Sequence, residues 1–407
     1  MLQRFKSWLE NQRSFLFSWY AKDAQETQEP ERSLIDLPDP IRQTLVEGIA
    51  DLPSNPAEQE AITLALNEAF ERWRRNPSYA NNSIVVLSSP IAAVSRILIE
   101  SLEDWSKQQQ ISLNMLPWTA RPDDITAIKP KLEHDLETAE NIGEEEIEVF
   151  VIPNLSWCFL RSLEGLEGIE YLQSLLCNGA TNRFWIIGGG QVGWEYLNSV
   201  CSIGAYCGET FFLPPIPAEK LEEWFEPILT QLNITYDDPS LEKQILNSDK
   251  NNKANYFEHL AEISQGVSTV AVQGFLKSIR YIEPEEEDTE ESQIEKIIEQ
   301  ISQLPDSSQE NIESDRLVAQ IPKLPSLPDL ESTDRYLLYS LLLHGDLTMS
   351  ALSNSLGDSE AEVQARLQIL RRQGIVEQNN RILKINPIYY PKLKRELANN
   401  NFIINEQ

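Results

Sequence analysis

The chain has 407 residues, enough for two or three domains at roughly 100 to 200 residues each, and its 41% hydrophobic and 8% aromatic content excludes wholesale disorder. With 64 acidic against 34 basic residues the net charge is -30, which repels nucleic acid and anionic lipid except where cations gather locally. Four cysteines without paired spacing (Cys158, Cys177, Cys201, Cys207), three scattered histidines (His134, His259, His344) and no run of 18 apolar residues argue against a disulfide framework, a zinc or other metal centre, histidine-based catalysis and a membrane span. The expectation is a cytoplasmic protein with reduced, buried thiols.

Residues 2–22 place Leu2, Phe5, Trp8, Leu9, Phe15, Leu16 and Trp19 at helical spacings among Arg4, Lys6, Arg13 and Lys22, the pattern of a basic amphipathic helix. Three uses fit it: contact with an anionic membrane surface, packing on its own domain, or an oligomer interface. A polar stretch with Pro30 and Pro38 follows, then helical patterns near 40–51 and 57–75, completing an N-terminal segment over 23–82.

From residue 83 short β-branched runs alternate with longer amphipathic stretches, as in an α/β domain with a mostly parallel sheet. Five strands are expected, at Ser83–Leu87, Ile111–Leu116, Ile147–Ile152, Arg183–Ile187 and Thr210–Leu213, with helices near 91–107, 126–139, 163–177 and 193–201. This unit spans 83–216. Residues 217–280 lose the strand signal and read as a small helical lid, including helices at Tyr256–Ile263 and Val267–Arg280 broken at Gly266. Residues 281–332 carry the acidic run Glu283 to Glu291 and the prolines Pro305, Pro322, Pro325 and Pro328, the composition of an extended linker, with one short helix candidate near 292–303. In 333–407, helices at 334–344, 348–355 and 358–373 (Asp358 as cap, Gly374 as stop) precede a hairpin of Ile375 and Val376, a turn at Asn379–Asn380, and Ile382, Leu383 and Ile385. Three helices followed by a β-ribbon are the winged-helix pattern. From Asp334 onward nine Lys/Arg and eight Asp/Glu give +1, so the rest of the chain carries -31.

An α/β core, a helical lid and a C-terminal winged helix-turn-helix resemble P-loop ATPases of the AAA+ and STAND type, over roughly residues 57–280 plus the tail. The resemblance implies a five-stranded P-loop-like sheet and a phosphate loop G-x-x-x-x-G-K-[ST] after the first strand, where glycines free backbone N–H groups for phosphate, lysine neutralises it and a hydroxyl holds magnesium. At that place stands Ser88-Ser89-Pro90-Ile91-Ala92-Ala93-Val94-Ser95: Ser88 and Ala93 replace the glycines, Val94 replaces the lysine, and Ser95 alone keeps its type. The family's acidic strand end is replaced by Pro153 and Asn154 after Val149–Ile152, and Gly266-Val267-Ser268-Thr269 offers no lid arginine. The alternative reading of 88–95 is an ordinary strand-to-helix turn.

Gly188-Gly189-Gly190-Gln191-Val192-Gly193 matches G-x-G-x-x-G between a strand and a helix, with Gly188, Gly190 and Gly193 as candidate contacts for a dinucleotide pyrophosphate and Glu209 near the ribose distance. The motif sits on the fourth strand, however, and a glycine-rich packing turn is its other reading. Trp185, Trp194, Trp224, Phe211 and Phe212 read as packing aromatics, Glu144, Glu145, Glu146 and Glu148 as a solvated loop, and Tyr389 and Tyr390 as anchors of the last helix. In the winged helix the recognition turn carries Asp358, Glu360 and Glu362, which repel phosphate, while Arg366, Arg371, Arg372, Arg381 and Lys384 lie later; this favours docking of a protein partner over reading DNA. The reading is a non-catalytic pseudo-ATPase scaffold without cofactor, with a winged-helix DNA-binding regulator and a nucleotide- or NAD-binding enzyme on the Gly188–Gly193 loop as alternatives, and a homo-oligomer as a further expectation.

Overall fold

The computed structural model describes residues 34–77, 81–137, 147–178, 182–232, 234–237, 248–282 and 317–404. The amphipathic stretch with Phe5, Trp8, Phe15 and Trp19, the run Glu283 to Glu291 and the helix candidate near 292–303 lie outside the described residues.

Strand β1 (Leu34–Asp36) and helices α1 (Asp39–Asp51) and α2 (Pro56–Arg75) come first. Asn55 caps α2, its side chain accepting from Ala57 N at 2.9 Å, with Pro56 pre-set for the first turn. The central sheet then runs β2 (Ser83–Ser88), α3 (Val94–Gln109), β3 (Leu113–Met115), α4 (Ile128–Glu137), β4 (Glu148–Ile152), α5 (Glu167–Asn178), β5 (Arg183–Gly190), α6 (Gln191–Cys201) and β6 (Glu209–Phe212). All five strands are parallel, in the order β3-β4-β5-β2-β6. The fold is therefore the α/β class expected from the alternating pattern.

Period-2 alternation divides the sheet's side chains between two cores. Ile84, Val86, Val149, Val151, Phe184 and Ile186 face α2 and α3, where Phe70, Trp73 and Trp105 fill the layer. Val85, Leu87, Phe150, Ile152, Trp185 and Ile187 face the other side, with α4, α5 and α6. Burial on both faces is why these strands read as continuous β-branched runs, each fully buried aliphatic contributing about 1.5 to 3 kcal/mol.

The lid holds α7 (Ala218–Leu232), β7 (Thr235–Asp237), α8 (Ser248–Ser264), α9 (Ser268–Ser278) and β8 (Ile279–Ile282). The break at Gly266 is real: its φ is +67°, and its carbonyl accepts from Ile216 N at 2.9 Å. Two expectations need correction. The lid contains strands, and the segment expected as linker contains one, β9 (Leu317–Gln320), which joins a sheet ordered β1-β8-β9-β7. Leu317 and Ala319 are buried with α1 and the lid helices, and Leu324, Leu327 and Leu330 pack on the main core. The apolar residues between the prolines hold this stretch against the protein, so proline here fixes an extended path over a surface, not through solvent. Likewise α1 belongs to the lid's core, whereas α2 covers the sheet.

The C-terminal unit is α10 (Ser332–His344), β10 (Leu347–Thr348), α11 (Met349–Leu356), α12 (Glu360–Arg372), β11 (Val376–Asn379), β12 (Ile382–Ile385) and α13 (Tyr390–Asn399), with an antiparallel sheet ordered β10-β12-β11. This is the element order of a winged helix. Ser359, not Asp358, caps α12, in a reciprocal capping box with Glu362. Gly345, Gly357 and Gly374 end the three helices at positive φ. The second half of helix α10 is buried all round: Leu337, Leu338, Leu341, Leu342 and Leu343 are each at most 2% exposed, because one side meets its own unit and the other the central domain. One continuous core thus joins the C-terminal unit to the central sheet.

Candidate functional site

A cavity of about 200 Å³ opens at the carboxyl end of the central sheet, walled by the β2–α3 loop, Asn154 and Trp157 after β4, Gly190 at the end of β5, the α2 start, the α9 start, and Gly345, Asp346 and Lys384 of the C-terminal unit. The crevice beyond the carboxyl ends of parallel strands is where open α/β sheets receive ligands. Helices α3, α6 and α9 all begin at it, from Ala93, Gly190 and Val267, and none has a side-chain cap. Their positive ends therefore face the cavity.

The structure places Ser88, Ala93, Val94 and Ser95 together on this wall. The loop closes on itself: Ala92 N donates to Ser89 O at 2.9 Å and Arg96 N to Ala93 O at 2.9 Å, so these amides are not spread around an anion. Val94 is 4% exposed and belongs to the packing, and Ser95 is buried. From the lid, Thr269 Oγ1 donates to Ile91 O at 3.3 Å. After β4 the Asn154 side chain accepts from Ser156 N at 3.0 Å, capping a short turn. The Tyr390 phenol, pushed up to about 12 by burial, faces Ser89.

Gly188, Gly190 and Gly193 each lie close to backbone from another part of the chain. Gly188 is a strand residue whose missing Cβ would meet Pro153 O, Gly190 lies against Pro90, where a Cβ would come within 3.3 Å of its Cα, and a Cβ on Gly193 would lie 2.7 Å from Leu343 O. The missing Cβ of each points at backbone of this chain, so these glycines serve close packing.

The five basic residues singled out in the C-terminal unit differ in pairing and exposure. Arg366 pairs with Glu331 at 2.6 Å and Asp334 at 3.8 Å. Lys384, with 21% of its side chain exposed, lies 3.9 Å from Asp346 and lines the cavity; desolvation lowers its pKa against the pull of Asp346 and Glu377. Arg371 is half-buried, and Arg372 and Arg381 are exposed.

Three further expectations change. Glu148 is not a solvated loop residue: it is 4% exposed and bridges to Arg183 at 2.6 Å. Cys158 and Cys207 are buried, their thiols pushed up to about 12 by desolvation, but Cys177 is exposed. Trp185 and Trp194 pack as expected, Trp185 stacking on Phe150 at 4.8 Å, whereas Trp224 is half-exposed at the cavity, held by an Nε1–H bond to Pro53 O at 3.0 Å.

The group sequence reasoning missed is Glu58. It is 5% exposed, its Oε1 accepts from Ser268 Oγ at 3.3 Å, its Oε2 has no partner, and desolvation raises its pKa to about 7. In sequence it is only an acid in a first helical turn. The clasp between domains was also missed. Arg121 donates to Phe159 O (2.8 Å), Ser156 O (2.6 Å) and Asp346 O (3.2 Å). Arg161 N donates to His344 Nε2 at 3.2 Å, and its guanidinium to Ser355 O. His344 is fully buried, and burial, then Arg121 and Arg161, hold its pKa well below the ordinary range. Among the described residues that line the cavity there is no histidine or cysteine. Among the described residues no group of three or more His, Cys, Asp or Glu is placed to hold a metal, and no helix is long and apolar enough to cross a membrane.

No family model and no curated protein matches the chain. Solved structures similar to it include the Holliday junction branch migration motor RuvB of Thermotoga maritima, 13% identical over 88% of this chain and 99% of that one, with a TM-score of 0.31. Cdc6p from Pyrobaculum aerophilum is 14% identical over 90% and 100% of the two chains, at 0.35. The ORC2 protein of Aeropyrum pernix, in ADPNP and ADP complexes, is 9% identical over 86% and 94%, at 0.34.

Proposed function

We propose that this chain is a non-catalytic relative of the AAA+ and STAND ATPases, a pseudo-ATPase scaffold that acts by holding protein partners. The observation that carries the reading is the β2–α3 loop, where Val94 is packed at 4% exposure in the lysine position and the turn bonds to itself. Charge neutralisation and metal-ordering carboxylates are what phosphoryl transfer requires of a protein, and Pro153 and Asn154 supply neither after β4. The start of α9 spends Thr269 on the same loop. A winged-helix unit sharing the central core suits a rigid platform, and its exposed Arg372 and Arg381 with half-buried Arg371 offer a partner surface too weakly basic for tight DNA binding. The test is a thermal-shift series with ATP, ADP and NAD on the full chain, with the 260 nm absorbance of the purified protein. The scaffold reading expects no shift and no co-purifying nucleotide; a saturable shift with ATP would overturn it.

A further inference from the structure

We propose that the cavity is a binding site for a small organic monocation, an ammonium or amidinium on an apolar body, with Glu58 as its counter-ion and Trp224 as its aromatic wall. The inference concerns an occupant of the cavity, and it stands or falls independently of whether the chain has lost ATP hydrolysis.

The charges around the cavity lead to it. Arg96 is paired with Glu100 at 2.8 Å and also donates to Leu52 O, and Glu100 is held further by Ser54 N at 2.7 Å. Lys384 and Asp346 lie together at the opposite wall. Among the described lining residues Glu58 is the charge left without an opposite partner, and its Oε2 is buried and unpartnered. An unpaired buried carboxylate is costly, which is why Glu58 holds its proton up to about pH 7. The uncapped start of α9 beside it, at Ser268, offsets part of a negative charge but supplies no full counter-charge. An entering cation completes the pair and displaces the proton.

The remaining walls select what carries that cation. Ile49, Val94, Ile97 and Val272 are apolar, and Trp224 lines the same cavity with its indole fixed through Pro53; an aromatic ring is a surface on which proteins recognise ammonium groups. At about 200 Å³ the space is below the roughly 300 Å³ at which drug-sized pockets begin, so the ligand is compact. Both cations among the described lining residues, Arg96 and Lys384, lie against carboxylates, which disfavours a polyphosphate.

Isothermal titration of the full chain with benzylammonium, with benzyl alcohol as the neutral isostere, tests this. At pH 7 benzylammonium should bind with release of about half a proton, read from buffers of different ionisation enthalpy, since Glu58 is half-protonated there. Affinity should rise about 30-fold from pH 5.5 to 8 as Glu58 ionises. Glu58→Gln should weaken binding at least about tenfold, and the pH series on the unaltered protein serves if that variant does not fold. Equal binding of benzyl alcohol, binding independent of pH, undiminished binding to Glu58→Gln, or no heat with benzylammonium at millimolar concentration would each overturn the proposal.

Discussion

Replacing Glu58 by Gln should stabilise the protein at alkaline pH and leave it nearly unchanged in acid. The carboxyl is 5% exposed and its pKa rises from 4.5 to about 7 on folding. A raised acid pKa means that the folded state holds the proton more tightly than the unfolded one. Its favourable contribution is complete below pH 4.5 and is lost as pH rises through 7. The 2.5-unit shift corresponds at 1.36 kcal/mol per unit to about 3 kcal/mol. Glutamine keeps the shape and a hydrogen bond to Ser268 but never ionises. The stability difference between variant and parent should therefore grow from near zero at pH 4.5 to about 3 kcal/mol at pH 8, measured by urea denaturation followed by tryptophan fluorescence. Because the comparison is between two proteins at each pH, the titration of the other carboxylates cancels. A difference that stays flat across this range, or one that destabilises Glu58→Gln at pH 8, would refute the assignment of Glu58 as a buried, unpaired acid.

Arg121→Met removes the donor to the carbonyls of Ser156, Phe159 and Asp346 and should cost about 2 to 4 kcal/mol, with faster amide exchange over 341–347; Arg372→Met, at an exposed site, serves as a control expected within about 0.5 kcal/mol. His344 is held neutral in the fold, so its contribution is present above pH 6.5 and lost as pH falls below it; the stability gap between the parent and His344→Leu should narrow from pH 7 to pH 5 in the same urea assay, and a constant gap would count against the buried neutral imidazole. The full chain should give no gel shift with duplex DNA at physiological salt, given -31 outside the C-terminal unit, and nanomolar binding lost in Arg371→Ala with Arg372→Ala would reverse this.

Five strands of the central sheet were legible because burial on both faces demands unbroken β-branched runs such as Ile84–Leu87 and Val149–Ile152. The lid's sheet was not, because its strands are three or four residues long and pair across great sequence distance, Leu34 with Ile282 and Thr235 with Val318. Proline and acidic residues around Leu317–Gln320 masked a strand whose apolar residues were visible all along. The docking of the C-terminal unit had a readable signal in the second half of α10, where leucines fall on every side of the helix. For the cavity, sequence placed Ser88, Ala93, Val94 and Ser95 on one loop, but it could not bring Glu58, Trp224 and Lys384 to them, because those approaches are set by three separate elements. Gly188–Gly193 matched a motif in letters only; what its glycines admit, Leu343 O and Pro153 O, becomes visible only in three dimensions.

The proposal that the chain does not transfer phosphoryl groups is tested most directly by phosphate release from ATP with magnesium, comparing the full chain with Val94→Lys and Ser95→Ala. The account predicts background release from all three, because a lysine restored at 94 still lacks a carboxylate after Ile152. Turnover by the unaltered chain that disappears in Ser95→Ala would contradict it.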